Sequence, residues 1–212
     1  MALVKGKAAQ PDGKSRCQAS SCEELSAGLE SADAGIRRHA AKEILRCPGA
    51  GAALVSRLKR EQEVAVRAAI LTALIRLDDP AATAGMADCL RNENAALRNE
   101  AIEALRELAS SEDRAGALPP VLRLLLADPD PDVRIFAVNV MESATLPEVE
   151  RCLIEVVERD QHVNVCAAAL DLLCEVGTEA AVDPLVRLKA RFSAEPYIQF
   201  AANLALKRIR EI

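Results

Sequence analysis

The chain has 212 residues, half of them apolar and only 2% aromatic, with a formal net charge of −5 and a pI of about 5.3. That balance disfavours a surface built to neutralise many phosphates, and with it nucleic-acid binding. No stretch approaches the ~18–20 apolar residues of a membrane span, and the opening MALVKGKAAQPDGKSRC lacks the apolar run of a secretory leader. The expectation is a soluble, cytoplasmic protein with no membrane or nucleic-acid partner. With no Trp, the core must come from Ala, Leu, Val and Ile, which suits closely packed helices better than sheets.

Residues 1–20 carry Lys5, Lys7, Lys14 and Arg16 without periodic apolar positions and read as a tail. From residue 21 on, short apolar segments alternate with longer amphipathic ones. CEELSAGLE precedes a stripe that starts at Ile36, and GAALVSRLKR one that starts at Val66. AGMADCLRN leads to Leu97, LPPVLRLLLA to Val133, EVERCLIEVVER to Val165 and VDPLVRLKARF to Ile198. Taking these six residues as position zero gives steps of 30 to 36 residues. Four positions on stand Ala40, Ile70, Ala101, Ala137, Ala169 and Ala202, and eight on stand Ile44, Leu74, Leu105, Met141, Leu173 and Leu206. Apolar residues at this spacing line one face of a helix. The predicted unit is helix, short turn, helix, with approximate boundaries at 21–48, 49–79, 80–110, 115–145, 146–177 and 178–212. The segment ASSEDRAGALPP (109–120) accounts for the longest step and reads as a bend or loop.

Three residues before each zero stand Asp33, Glu63, Asn94, Asp130, His162 and Glu195, where an N-cap belongs. The conspicuous DPDPD (128–132) is thereby explained without a metal: Asp130 caps, Pro131 opens the helix and Asp132 faces the positive end of the helix dipole.

NAALRNEAIEAL (94–105) and DPDVRIFAVNVM (130–141) resemble the HEAT repeat, in the short bacterial form also found in phycobilisome lyase subunits. The resemblance covers roughly residues 22–212. It implies an all-α, right-handed α-solenoid of about six HEAT-like helix pairs. It also implies that Arg37, Arg67, Arg98 and Arg134, one residue after position zero, form a structural ladder with the cap residues Asp33, Asn94 and Asp130. Repeats five and six place Cys166 and Gln199 where the arginine is usual.

Chemistry finds little purchase. His39 and His162 lie four repeats apart, and neither precedes a glutamate, so the iron-binding His-Glu dipeptides of HEAT-like hydroxylases are missing. No zinc spacing, phosphate loop or nucleophile motif occurs. No cofactor, metal or catalytic residue is expected, and the chain reads as a non-enzyme. The seven cysteines include no CxxC pair and argue for free thiols in a reducing compartment rather than a disulfide framework. Cys17 and Cys22 are the more exposed candidates for oxidation or a metal, while Cys152, Cys166 and Cys174 read as core or surface thiols rather than a zinc or redox site.

What remains is a surface. Solenoids bind along the face lined by one helix of each pair, and in HEAT arrays the second helices line the concave side. Positions two, six and nine supply candidate partner-binding residues there: Arg38, Lys42, Asn99, Glu103, Arg106, Asn139, Glu142 and Asp171. The charge shifts from basic near the N-terminus to acidic further on. The row at position five, Ala41, Leu71, Ile102, Val138, Leu170 and Asn203, either packs between second helices or floors an apolar groove; packing is the expectation. The functional expectation is a scaffold or adaptor that takes a helix or peptide of another protein in the concave groove. The alternative is a subunit of a HEAT-like lyase or cofactor-maturation factor.

Overall fold

The computed structural model describes residues 20–77, 79–111, 118–144 and 148–211. The expected tail up to residue 19, with Cys17, and residues 112–117 of the 109–120 linker lie outside them. Among the described residues twelve α-helices follow one another and there is no strand. α1 (Cys22–Leu29) precedes α2 (Ala34–Glu43), and α3 (Ala50–Leu58) precedes α4 (Val64–Leu77). Then come α5 (Pro80–Asp88) with α6 (Ala95–Ala109), and α7 (Leu118–Leu126) with α8 (Pro131–Met141). α9 (Val149–Arg159) with α10 (Val163–Val176) and α11 (Val182–Arg191) with α12 (Pro196–Glu211) complete the array.

Why these segments stop and start is local chemistry. Ser21 and Glu24 form a reciprocal capping box at the start of α1. Asp33, Asn94 and Asp130 each accept backbone N–H groups at the starts of α2, α6 and α8, and Asp79 does so for α5. His162 stands in the cap position of α10 but makes no side-chain cap bond. The turn into α3 uses Gly49 at φ +73°, a left-handed conformation that costs a residue with a Cβ about 1–2 kcal/mol.

The helices stack as a solenoid. Each second helix packs on its own first helix and on the next second helix, giving a row α2, α4, α6, α8, α10 and α12. The first helices stack on one another less closely, and α7 and α9 barely touch. The core is continuous along the array, because no single pair can bury its apolar face alone. The residues at positions four and eight are all buried, as the stripe requires. So are Ala41, Leu71, Ile102, Val138 and Leu170 of the position-five row, which pack between second helices; Asn203 in the last helix is exposed. Position zero is buried in five repeats, but Ile36 in the first described pair is 52% exposed.

Close approach of α3 and α5 depends on Gly85. A Cβ there would lie 2.4 Å from the Val55 side chain. Gly85→Ala is expected to force the pair apart and destabilise the protein by about 1–3 kcal/mol, read as a lowered urea midpoint with an unchanged slope.

The cysteines depart from expectation. Cys22 at the start of α1 and Cys47 after α2 form a disulfide, their Cα atoms 5.5 Å apart. The hairpin of the first pair returns the chain to its own beginning and so brings the two cysteines together. The free-thiol expectation is thus corrected for this pair. Cys89 and Cys166 are buried and free, and Cys152 and Cys174 are partly buried and free. Burial pushes all four thiols up, Cys89 to about 11, so none is poised as a thiolate near neutral pH.

Candidate functional site

Two constellations recur along the array: a polar spine in the turns between the helices of each pair, and a furrowed surface on the second helices.

The spine is built from the arginine after position zero. In each of four repeats one guanidinium nitrogen donates to two carbonyls of the preceding turn. Arg37 reaches Ser31 and Ala32, Arg67 reaches Glu61 and Gln62, Arg98 reaches Asn92 and Glu93, and Arg134 reaches Asp128 and Pro129. The remaining nitrogens reach forward to a carboxylate of the next repeat. Arg37 forks onto Glu61 at 2.7 and 2.9 Å, Arg67 onto Glu100 at 2.6 and 2.8 Å, and Arg134 onto Asp160 at 2.7 and 3.1 Å. This corrects the expected pairing. The cap residues Asp33, Asn94 and Asp130 serve their own helices. Two of the three forward acids, Glu61 and Asp160, stand two positions before the cap, and Glu100 lies within α6. Asp128, also two before its cap, is taken by Arg91 rather than Arg98, which has no carboxylate partner among the described residues.

The acid two before the cap has a second task, accepting the amide of the cap residue itself. Glu61 does so from Glu63, Asp128 from Asp130, and Asp160 from His162. Glu61 is the extreme case: its buried carboxylate accepts from Arg37, Arg57 and two backbone amides, and its pKa falls to about 2, chiefly through the Arg37 hydrogen bond. Where repeat five carries Cys166 in place of the arginine, the turn carbonyls are satisfied from elsewhere. The Cys166 thiol and Arg191 of α11 both donate to the Asp160 carbonyl, and Arg191 also caps Val157 and Glu158 at the end of α9. In repeat six Gln199 donates to the Lys189 and Phe192 carbonyls. Such bonds keep the turn backbones paired where helices end.

The surface of the second helices has two hollows side by side. The larger, about 660 Å³, lies between α4 and α6. Its apolar side is Val64, Ala68, Leu71, Ile75 and Ala104; its polar rim includes Asn99, Glu103, Arg106 and Glu107. The smaller, about 220 Å³, lies between α2 and α4 and is edged by Arg38, Lys42 and Arg76. Ala68 and Thr72 line both and form the low ridge between them.

The structure therefore brings together five of the eight candidates, Arg38 and Lys42 at one hollow and Asn99, Glu103 and Arg106 at the other. Glu142 joins the edge only through its 3.0 Å ion pair with Arg106. Asn139 is half-buried and lines neither hollow, and Asp171 accepts a 2.5 Å hydrogen bond from Tyr197 far along the array. That bond raises the tyrosine pKa to about 12. Sequence reasoning passed over Val64, Ala68, Thr72 and Ile75. The signal was present as missing bulk: positions two and six are Ala68 and Thr72 in repeat two, against Arg38 and Lys42 or Asn99 and Glu103 in its neighbours. It also passed over Phe200 and Leu204 at the same two positions of α12, which are 68% and 52% exposed.

Among the described residues, no group of three His, Cys, Asp or Glu side chains could hold a metal ion. Nor is any described helix long and apolar enough to cross a membrane.

Stacked helix pairs with a spine of in-register arginines define an α-solenoid of short helical repeats. A family profile described as HEAT repeats matches residues 22–106 and 51–142, together more than half of the chain. The protein belongs to the HEAT-repeat family. No curated protein matches it. Among solved structures it is similar to two engineered proteins. One is 20% identical with TM-score 0.45, over 90% of this chain and 96% of that one. The other is 18% identical with TM-score 0.45, over 91% and 100%. It is also similar to the complex of CpcE and CpcF of phycocyanin lyase from Nostoc sp. PCC7120, at 18% identity and TM-score 0.37, over 96% of this chain and 100% of that one.

Proposed function

We propose that the protein is a non-catalytic scaffold whose second-helix surface is its concave, partner-binding face. The observation that carries this reading is the α4–α6 hollow. It combines an apolar floor with the exposed carboxylates of Glu103 and Glu107. Apolar depressions with a polar rim are where solenoids and helix-binding grooves take partner segments. The matching partner is an amphipathic segment with apolar anchors for exposed Val64 and Ala68 and basic residues for the rim. Arg38, Lys42 and Arg76 across the Ala68–Thr72 ridge favour an acidic residue at its other end, which fixes the direction in which the segment lies.

Ala68→Arg with Thr72→Arg fills both hollows from exposed helix positions without touching the core. Affinity capture is expected to recover a protein with the wild type and to lose it with this variant, whose helical circular dichroism and urea midpoint stay unchanged. Equal capture by both, with both folded, would contradict the assignment of this face. The non-catalytic part of the reading is supported by the candidates themselves. The groove's charged groups are engaged in ion pairs or stand on its open rim, and the free thiols are held protonated by burial.

A further inference from the structure

On the opposite side, the row of first helices opens between α7 and α9. The opening is a wedge. At its narrow end Pro119, Leu122, Met141, Val149 and Cys152 close together. It widens past Leu126 and Val156 into a cleft of about 770 Å³ reaching the turns at Asp128 and Asp160.

The charges in the cleft are unevenly satisfied. Asp128 and Asp160 belong to the spine and are held by Arg91 and Arg134. Arg123 on α7 and Arg159 on α9 also line the cleft, and among the described residues neither has a carboxylate within 4.0 Å. Arg151 has only a marginal 4.0 Å contact with exposed Glu148. Glu155 is the one acid of the lining that the spine does not use; it lies four residues from both Arg151 and Arg159 and pairs with neither. Three guanidinium groups thus face an open, part-apolar wedge with Glu155 among them and exposed Glu148 at its narrow end.

We propose that this wedge is a second binding site, taking an extended acidic segment of a partner protein whose carboxylates meet Arg123, Arg151 and Arg159 and whose apolar side chain rests on Leu126 and Val156. The spacing selects the ligand. Arg151 and Arg159 are eight residues apart on one helix, about 12 Å along its axis, so no small anion reaches both. An extended chain places side chains four residues apart at about 13 Å, so acidic residues at i and i+4 around a central apolar one match the pair. Guanidinium groups suit such carboxylates because they bind them in a bidentate fork. The site does not depend on the second-helix groove, from which it is separated by the thickness of the array.

The probe is a fluorescein-labelled peptide with two glutamates four residues apart around a leucine, its lysine counterpart serving as control. Fluorescence anisotropy is expected to show salt-sensitive binding of the glutamate peptide alone. Arg123→Glu with Arg159→Glu should weaken it by about tenfold or more, since two attractions become repulsions, while Glu155→Gln should strengthen it. Cys152 gives a reading tied to the place: saturating peptide should slow its alkylation and leave that of Cys174, which is also partly buried, unchanged. Absence of binding, equal binding by the charge-reversed variant, or binding without protection of Cys152 would overturn the proposal. So would displacement by tripolyphosphate as effective as by unlabelled peptide, which would assign the arginines to small anions.

Discussion

Replacing Glu61 by alanine is expected to cost about 3–5 kcal/mol of unfolding free energy, the largest effect of any single substitution in the array. The Glu61 side chain is fully buried and the Arg37 side chain only 8% exposed, so the variant would strand a buried guanidinium. It would also release Arg57 and the amides of Gln62 and Glu63. The loss is one of unpaired groups rather than of a single bond, because leaving buried partners unsatisfied costs more than the bond contributes. The same residue gives a pH signature. Its folded pKa of about 2 lies below the ordinary value of 4.5, so its contribution is fully present above pH 4.5 and is lost as the pH falls towards 2. The shift corresponds to about 3 kcal/mol. Urea denaturation between pH 6 and pH 2.5 should therefore show the wild type losing stability over this window, with a flatter curve for Glu61→Gln. A loss below about 1 kcal/mol for Glu61→Ala would mean that the pair is effectively solvated.

The second large effect is expected from the disulfide. Cys22 and Cys47 enclose a sequence separation of 25 residues, for which the chain-entropy estimate is about 3 kcal/mol. Cys22→Ser with Cys47→Ser should lose about that amount. In a solenoid the damage stays near its source, because each repeat contacts only its neighbours. Proteolysis of the variant should therefore cut first between α1 and α3, leaving the later pairs intact, and reductant should have the same effect on the wild type. Ready alkylation of both cysteines in the unreduced native protein would show that the bond does not form.

Much of the architecture was legible because one physical requirement recurs. Each second helix must bury a stripe against its own first helix and the adjacent second helices, so positions zero, four and eight stay apolar from Val66 to Leu206. The caps Asp33, Asn94 and Asp130 were legible for a similar reason, since capping is settled within one turn of chain. The spine was not. Which acid meets each arginine depends on how far one repeat is displaced along the next, so Arg67 finds Glu100 inside a helix whereas Arg134 finds Asp160 in a turn. Arg91 could displace Arg98 at Asp128 because only the fold brings it there. The Cys22–Cys47 bond was hidden likewise, because the two cysteines lie 25 residues apart in sequence and meet only when the first helix pair folds back. At the candidate site, the charged side chains at positions two and six, Arg38, Lys42, Glu103 and Asp171, are exposed. The hollow itself is an absence of side chain at Ala68 and Thr72, visible only when the bulk of neighbouring repeats is compared.

The proposed function requires that the second-helix surface receive a partner at the α4–α6 hollow. It is tested most directly by hydrogen exchange of the protein alone and in complex with the protein it captures. Slowed exchange is expected at residues 64–76 of α4 and 99–110 of α6 and its C-terminal cap alone, with the first helices α3 and α5 unchanged. Protection centred on first helices, with α4 and α6 exchanging as in the free protein, would contradict it.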